Sequence, residues 1–329
     1  MAFVRVADGV LVATSRVMAT TSTLIRAGDR GVLVDPAWCA DELVALADAV
    51  DGLGVRVTAG FSTHPHHDHL LWHPRFGGVP RWASPRAVAV VADEREVLLA
   101  ELLAEPACPG ADEPGEPRPA EPGEPRPAGP AEPRPVEPAE SGPADPAEPL
   151  PGVRVDPRRP TRGRPSPEPS ARSFPPEVLA LFAQVTALPD APVVALPEPF
   201  GADGPDEPLV AVVHDAHAAG HLALWAPERG VLLVGDMLSD VELPLPFDPD
   251  DLEAYLTGLD TLAPYVARAR VLVPGHGTPT SDPVARLDVD RRYLAAVLAG
   301  RDPDDPRRAN PGMPEVHARV RALAAARFG

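Results

Sequence analysis

Ser62-Thr63-His64-Pro65-His66-His67-Asp68-His69 is the stretch that decides how this chain is read. Four potential metal ligands, His64, His66, Asp68 and His69, fall within six positions. The residues before it, 55–61, are apolar and β-branched, so the motif begins where a strand ends. A strand fixes the start of the loop, and a tight loop turns several side chains toward one point. His64 and His66 would face one cation, and Asp68 with His69, a step further round, would face a second. Imidazole nitrogen with carboxylate oxygen suits zinc, and also iron or manganese.

Three later stretches stand in usable order. His214-Asp215-Ala216-His217-Ala218-Ala219-Gly220-His221 lies between two apolar runs. Val231-Leu232-Leu233-Val234-Gly235-Asp236 is an apolar strand ending in a carboxylate, which read alone is also an ordinary turn. Val271-Leu272-Val273-Pro274-Gly275-His276-Gly277 sets a histidine between two glycines after another strand, where the backbone can pass close to a metal and its substrate.

The first stretch resembles the signature of the metallo-β-lactamase superfamily, and the later ones resemble its remaining ligand motifs. The resemblance implies that His217, whose spacing to Gly220 fits the family loop, completes a first site with His64 and His66. It implies that Asp236 bridges two metals and that His276 completes the second site with Asp68 and His69. His214 is a rival to His217; for it and for His221 a supporting or edge position is favoured. One departure is that Leu70-Leu71-Trp72-His73-Pro74 follows where many members place a glycine; Trp72 and His73 are candidates for the pocket mouth, and for His73 a surface or supporting position is favoured.

The implied fold is an αββα sandwich, two mixed β-sheets packed face to face with helices outside. The implied chemistry is metal-dependent hydrolysis by a metal-bridged hydroxide, with two divalent ions, zinc before iron or manganese. The substrate would be a small ester, thioester or lactone, and Asp68 would orient the nucleophile. Enzymes of the glyoxalase II or lactonase type are the leading analogy. Two alternatives stay open. One is a mononuclear iron enzyme of the persulfide-dioxygenase kind. The other is a non-enzymatic scaffold working through its proline-rich tract.

Composition narrows the partners. A net charge of −18 argues against nucleic acid, whose phosphates call for a basic surface. All 30 basic residues are arginine, which excludes lysine Schiff-base chemistry. The two cysteines, Cys39 and Cys108, suggest no disulfide framework. No basic leader with a long apolar run opens the chain and no run of 18 uncharged apolar residues occurs, so a cytoplasmic protein without a membrane span is expected.

Short strands are expected over 3–6, 10–13, 21–26 and 31–35, a helix over 41–50, strands at 55–61 and 79–83, and a helix from 85 to 103. The composition then breaks: 21 of the 46 prolines fall in 106–170, and Glu-Pro-Gly-Glu-Pro-Arg-Pro-Ala occurs twice over 113–128. Dense proline removes backbone donors, and few large apolar residues are left to offset ordering entropy. The segment 106–170 reads as a disordered insertion, with a protein-docking tract as the alternative reading. It interrupts one catalytic domain made of 1–105 and 171–329. A helix at 176–188, strands at 193–196, 209–214, 221–225, 231–235 and 270–273, and helices at 250–262, 282–299 and 315–328 complete it.

Overall fold

The computed structural model describes residues 1–106, 108, 173–196 and 208–328. The expected insertion at 106–170 therefore lies almost wholly outside the described residues. Strands β1 (Val4–Ala7), β2 (Val10–Thr14), β3 (Thr21–Ala27), β4 (Arg30–Val34), β5 (Arg56–Phe61), β6 (Arg81–Ala83) and β7 (Thr186–Ala187) form one sheet in that spatial order. Its first four strands are antiparallel, and from β4 to β7 the pairing is parallel. A second sheet has the order β12-β11-β10-β9-β8, from Val271–Val273, Val231–Leu233, Leu222–Ala226, Val210–Val213 and Val193–Ala195. It too is mixed, with β11 and β12 parallel.

Strand periodicity explains how the layers stack. Along β3 and β4, Ile25, Val32 and Val34 join Leu222, Leu224, Val231 and Leu233 in a core between the sheets. Their neighbours Leu24 and Leu33 point the other way, toward Leu43, Leu46 and Val50 of helix α1 (Ala40–Gly52) and Val91 and Leu98 of α2 (Pro85–Ala104). In the second sheet Ala223, Trp225 and Leu232 turn outward against α4 (Leu252–Val266), α5 (Pro283–Leu298) and α6 (Met313–Phe328). The order of layers is helix, sheet, sheet, helix, which is the expected sandwich. It accounts for strands such as β10 that are buried at every position: both faces are covered.

Helix ends follow local chemistry. Ser84 accepts a hydrogen bond from the Ala87 amide and Pro85 occupies the first turn of α2. Asp251 and Asp282 cap α4 and α5 in the same way.

Three expectations change. The helix expected over 176–188 stops at Leu181 (α3, Pro176–Leu181), and the chain turns to add β7 at the sheet edge. Trp72 does not shape a pocket mouth. It is buried beneath Gly60, where a Cβ would meet its ring at 2.6 Å, with its indole N–H donating to the Gly77 carbonyl. His73 caps the short turn that follows, accepting from the Arg75 amide. Cys39 and Cys108 are also not left unpaired, because they form a disulfide from the start of α1 to the residues just beyond α2. Sequence spacing could not show this, since the partners meet only once α2 runs back across the sheet.

The disulfide closes a loop of 69 residues that contains the whole His64–His69 motif. Restricting the unfolded chain this way is worth about 2–4 kcal/mol. Reduction, or Cys39→Ser, is expected to lower the denaturation free energy by that amount, measured by urea titration with and without reductant. Disulfides persist in oxidising compartments, so the pair weighs against the cytoplasmic expectation. Among the described residues no helix is long and apolar enough to cross a membrane.

Candidate metal centre

Each motif leaves the end of a strand. β5 delivers residues 62–69, β11 delivers Gly235-Asp236, β12 delivers Pro274-Gly275-His276, and the loop between β9 and β10 carries His217. The glycines are required by close approach. A Cβ on Gly275 would collide with Asp236 Oδ1, and one on Gly235 with His221 Nε2; Gly235 also has φ +52°.

All seven expected ligands converge. His66 Nδ1 lies 3.0 Å from His64 Nε2 and 3.1 Å from His217 Nε2. Asp236 Oδ2 lies 3.3 Å from His64 Nε2 and 3.6 Å from His217 Nε2. On the other side, Asp68 Oδ2 lies 3.3 Å from His69 Nε2 and 3.2 Å from His276 Nε2. The same Asp236 carboxylate reaches this second set, with Oδ1 3.3 Å from His69 Nε2 and Oδ2 3.2 Å from His276 Nε2. Ligands at roughly 2.0–2.1 Å from a tetrahedral ion stand about 3.4 Å apart, so the spacing matches what an ion needs. His64, His66, His217 and Asp236 could hold one ion; Asp68, His69 and His276 could hold another.

The buried polar atoms point the same way. His69 Nε2 and Asp236 Oδ1 are buried and have no hydrogen-bond partner among the described residues. Buried polar atoms are almost always satisfied. Two such atoms facing each other at 3.3 Å suit a shared cation, and the donor set fits one.

A supporting ring orients the ligands. The outward nitrogens of His217 and His276 donate to the carbonyls of Leu245 and Met18, at 3.0 and 3.1 Å. His64 Nδ1 donates to Thr63 Oγ1 at 3.0 Å, and Thr63 Oγ1 donates to Asp35 at 2.7 Å. Asp35 Oδ2 also stands 3.0 Å from His69 Nδ1, off the line of an ideal hydrogen bond. His66 differs: Nε2 faces Asp248 at 3.4 Å, which leaves Nδ1 for the centre. Such partners fix which nitrogen is free and raise its basicity. The motif reading missed Asp35 and Asp248. The signal for Asp35 was faint, a carboxylate closing β4 one strand away; the structure adds that Asp35 has φ +47°, a strained backbone for a non-glycine residue.

His214 and His221 pack as a buried pair behind the site, 4.7 Å between ring centres. Burial pushes His214 down to about 4 and His221 well below its usual value, so both are neutral at pH 7. His221 Nε2 accepts from the Asp236 amide at 3.2 Å. Neither belongs to the two ligand sets.

Electrostatics separates the two sets. Burial drives His64 well below its ordinary value and His217 to about 4, so both are neutral. Burial is the largest single influence on His69 and His276 and pushes both down, but the surrounding carboxylates together outweigh it, Asp236 first, with Asp68 and Asp35 at His69 and Glu242 and Asp68 at His276, and hold both well above the usual imidazole range. Burial would raise Asp68 and Asp236; the imidazoles of His69 and His276 keep both well below the carboxylate range. The centre opens into a cavity of about 650 Å³ that reaches Trp38, the outer face of α2 and Phe247.

The sequence pattern of the metallo-β-lactamase superfamily matches residues 15–276. A solved metallo-β-lactamase from Erythrobacter litoralis is 17% identical with a TM-score of 0.48, over 88% of this chain and 95% of that one. Another, from Pseudomonas aeruginosa in a mono-zinc form, is 12% identical with a TM-score of 0.47, over 87% of this chain and 94% of that one. No curated protein matches this chain. The match spans every one of the four ligand-bearing stretches, and the chain belongs to the metallo-β-lactamase superfamily.

Proposed function

We propose that the chain is a dinuclear metal-dependent hydrolase acting on a small-molecule ester, thioester or lactone. The observation that carries this is the position of Asp236, whose carboxylate faces both ligand sets at the inner end of an open cavity. His64, His66 and His217 would hold one divalent ion, Asp68, His69 and His276 the other, and Asp236 would be shared. Zinc suits this ligand set best, with iron or manganese next. When bound, the ions would supply a nucleophilic hydroxide at neutral pH and polarise the electrophile's oxygen.

The protein's own contribution is positioning. Asp68 is buried beside the centre, reaches it through Oδ2 and leaves Oδ1 to orient the attacking water and accept its proton. Apolar walls from Trp38, Leu98 and Phe247 exclude bulk water from one side of the cavity, which strengthens each polar interaction inside it. An open cavity over the ligands, with room for water and substrate, supports a catalytic site over a closed structural one.

The experiment is elemental analysis coupled to ester, thioester, lactone and phosphodiester panels. Two ions per chain with hydrolysis that chelation abolishes and zinc restores is the expected result. A single iron per chain with oxygen consumption would move the assignment to the oxygenase alternative.

The two ion sites should respond differently to pH. Without an ion, His69 and His276 carry protons at neutral pH, because the carboxylates around them raise their affinity for one. An ion entering there must displace those protons, so its affinity falls as pH falls. Zinc titrations between pH 8 and pH 6 should show one site weakening by up to about tenfold per pH unit for each proton displaced. The site of His64 and His217, already neutral, should change far less.

A further inference from the structure

Among the described residues seven carboxylates line the cavity, those of Asp68, Glu94, Glu101, Glu105, Asp236, Glu242 and Asp248. Two divalent ions would neutralise four of these charges. The wall would remain negative, because no arginine is among the described lining residues and the chain has no lysine.

The charges are organised. Val90, Glu94, Leu98 and Glu101 recur every three or four residues along α2, with Glu105 just past its end, and so form one stripe facing the cavity. The stripe is held in place by Leu98 in the core and by Ser84 at the helix start. Glu101 and Glu105 each stand 3.9 Å from a nitrogen of His67, too far for a hydrogen bond.

Glu242 is the independent observation. Its side chain lines the cavity at the buried end, is 8% exposed, and has an Oε2 with no hydrogen-bond partner among the described residues. It is not loose. Its amide donates to Ser239 Oγ at 3.1 Å and its carbonyl accepts from Arg307 at 2.9 Å. Burial is the largest influence on this carboxyl and raises it to about 7, so a cation beside it would hold it in its charged form at neutral pH.

We propose, resting on the hydrolase reading above, that the cavity selects a substrate bearing a positively charged ammonium group, with Glu242 as its counter-charge and the α2 stripe drawing it in. Stripes of one sign in a cleft raise the local concentration of oppositely charged substrates and their rate of entry. The same wall disfavours substrates with carboxylate or phosphate groups, which would meet Glu94, Glu101 and Glu105 on the way in.

The test compares two esters of nearly the same shape, acetylcholine and its uncharged analogue 3,3-dimethylbutyl acetate, on the zinc-loaded full chain. At low ionic strength kcat/KM should favour the cation by about tenfold or more, and the preference should shrink with added salt. Glu242→Gln should bring the ratio near one, whatever happens to the absolute rates. Glu101→Gln, on an exposed helix face, should lower the ratio partially through KM. A wild-type ratio at or below one, or an undiminished ratio in folded Glu242→Gln, overturns the proposal. Should Glu242→Gln not fold, the Glu101→Gln/Glu105→Gln double variant decides in its place, with a lowered ratio supporting and an unchanged one overturning. Should neither ester be cleaved, the hydrolase reading fails on these substrates while the cation proposal is still decided. Calorimetry of choline against 3,3-dimethylbutan-1-ol would show choline binding more tightly if it holds, and equal or weaker binding if it does not.

Discussion

Asp236→Ala is expected to lose hydrolytic turnover by more than about a hundredfold and to retain at most one divalent ion per chain. The magnitude follows from what this residue touches. Removing a group that merely supports a metal ligand costs about 10–100-fold in affinity or activity. Asp236 stands 3.2–3.6 Å from four ligand nitrogens in both sets, so its removal acts on both ion positions directly. Asp236→Asn keeps the shape and removes the charge. It should fall nearly as far, because a neutral amide cannot offset two cations in a buried site. Elemental analysis and turnover on the best ester of the panel, measured on the same preparations, check both variants. Wild-type rates with wild-type metal content would remove the bridge from the account.

Arg307→Ala is expected to be the most destabilising single truncation away from the centre, at about 3–5 kcal/mol. The Arg307 guanidinium is buried and donates to Asp290 at 2.7 Å, to Asp305 at 2.8 Å, and to the carbonyls of Ser239 and Glu242 at 2.8 and 2.9 Å. Burial already raises the Asp290 carboxyl above its usual range, and Asp290 is 1% exposed. Without the guanidinium, Asp290 and Asp305 become unpaired buried acids, and the segment following Asp236 loses two anchors. Ser239 Oγ donates to the His276 carbonyl at 2.7 Å, so slackness there reaches a ligand. Urea unfolding measures the loss, and Arg307→Lys should recover only part of it, since one ammonium cannot span four acceptors arranged around a planar fork. A loss under about 1 kcal/mol would show that the network contributes little, as exposed pairs do.

The sandwich was legible as what the family resemblance implied, and the recurring apolar strands fitted it. Ile25 and Leu24 sit side by side and go to different cores, so a continuous apolar run marks a strand covered on both faces. The seven candidate ligands could be picked out because their motifs follow apolar strands, and the resemblance supplied their pairing. What stayed hidden lies in contacts between distant segments. Asp35 supports His69 and Thr63 from a neighbouring strand, and Asp248 faces His66 from a loop 182 positions later, the difference of their residue numbers. Neither forms a local pattern with its partner. Trp72 was misjudged for a related reason: sequence places it beside the ligand loop, while the short turn at 67–69 directs it under Gly60 into the core. The Cys39–Cys108 pair was missed because one partner sits at the edge of the proline-rich stretch, where composition argued against any fixed contact.

The most direct test is anomalous diffraction at the zinc edge from crystals of the full chain grown with zinc. The account predicts two peaks about 3.5–4 Å apart. One should lie among His64, His66 and His217, the other among Asp68, His69 and His276, with Asp236 touching both. Zinc found only outside this cluster, or a single peak with Asp236 turned away from it, would contradict the claim that these seven side chains hold a pair of ions.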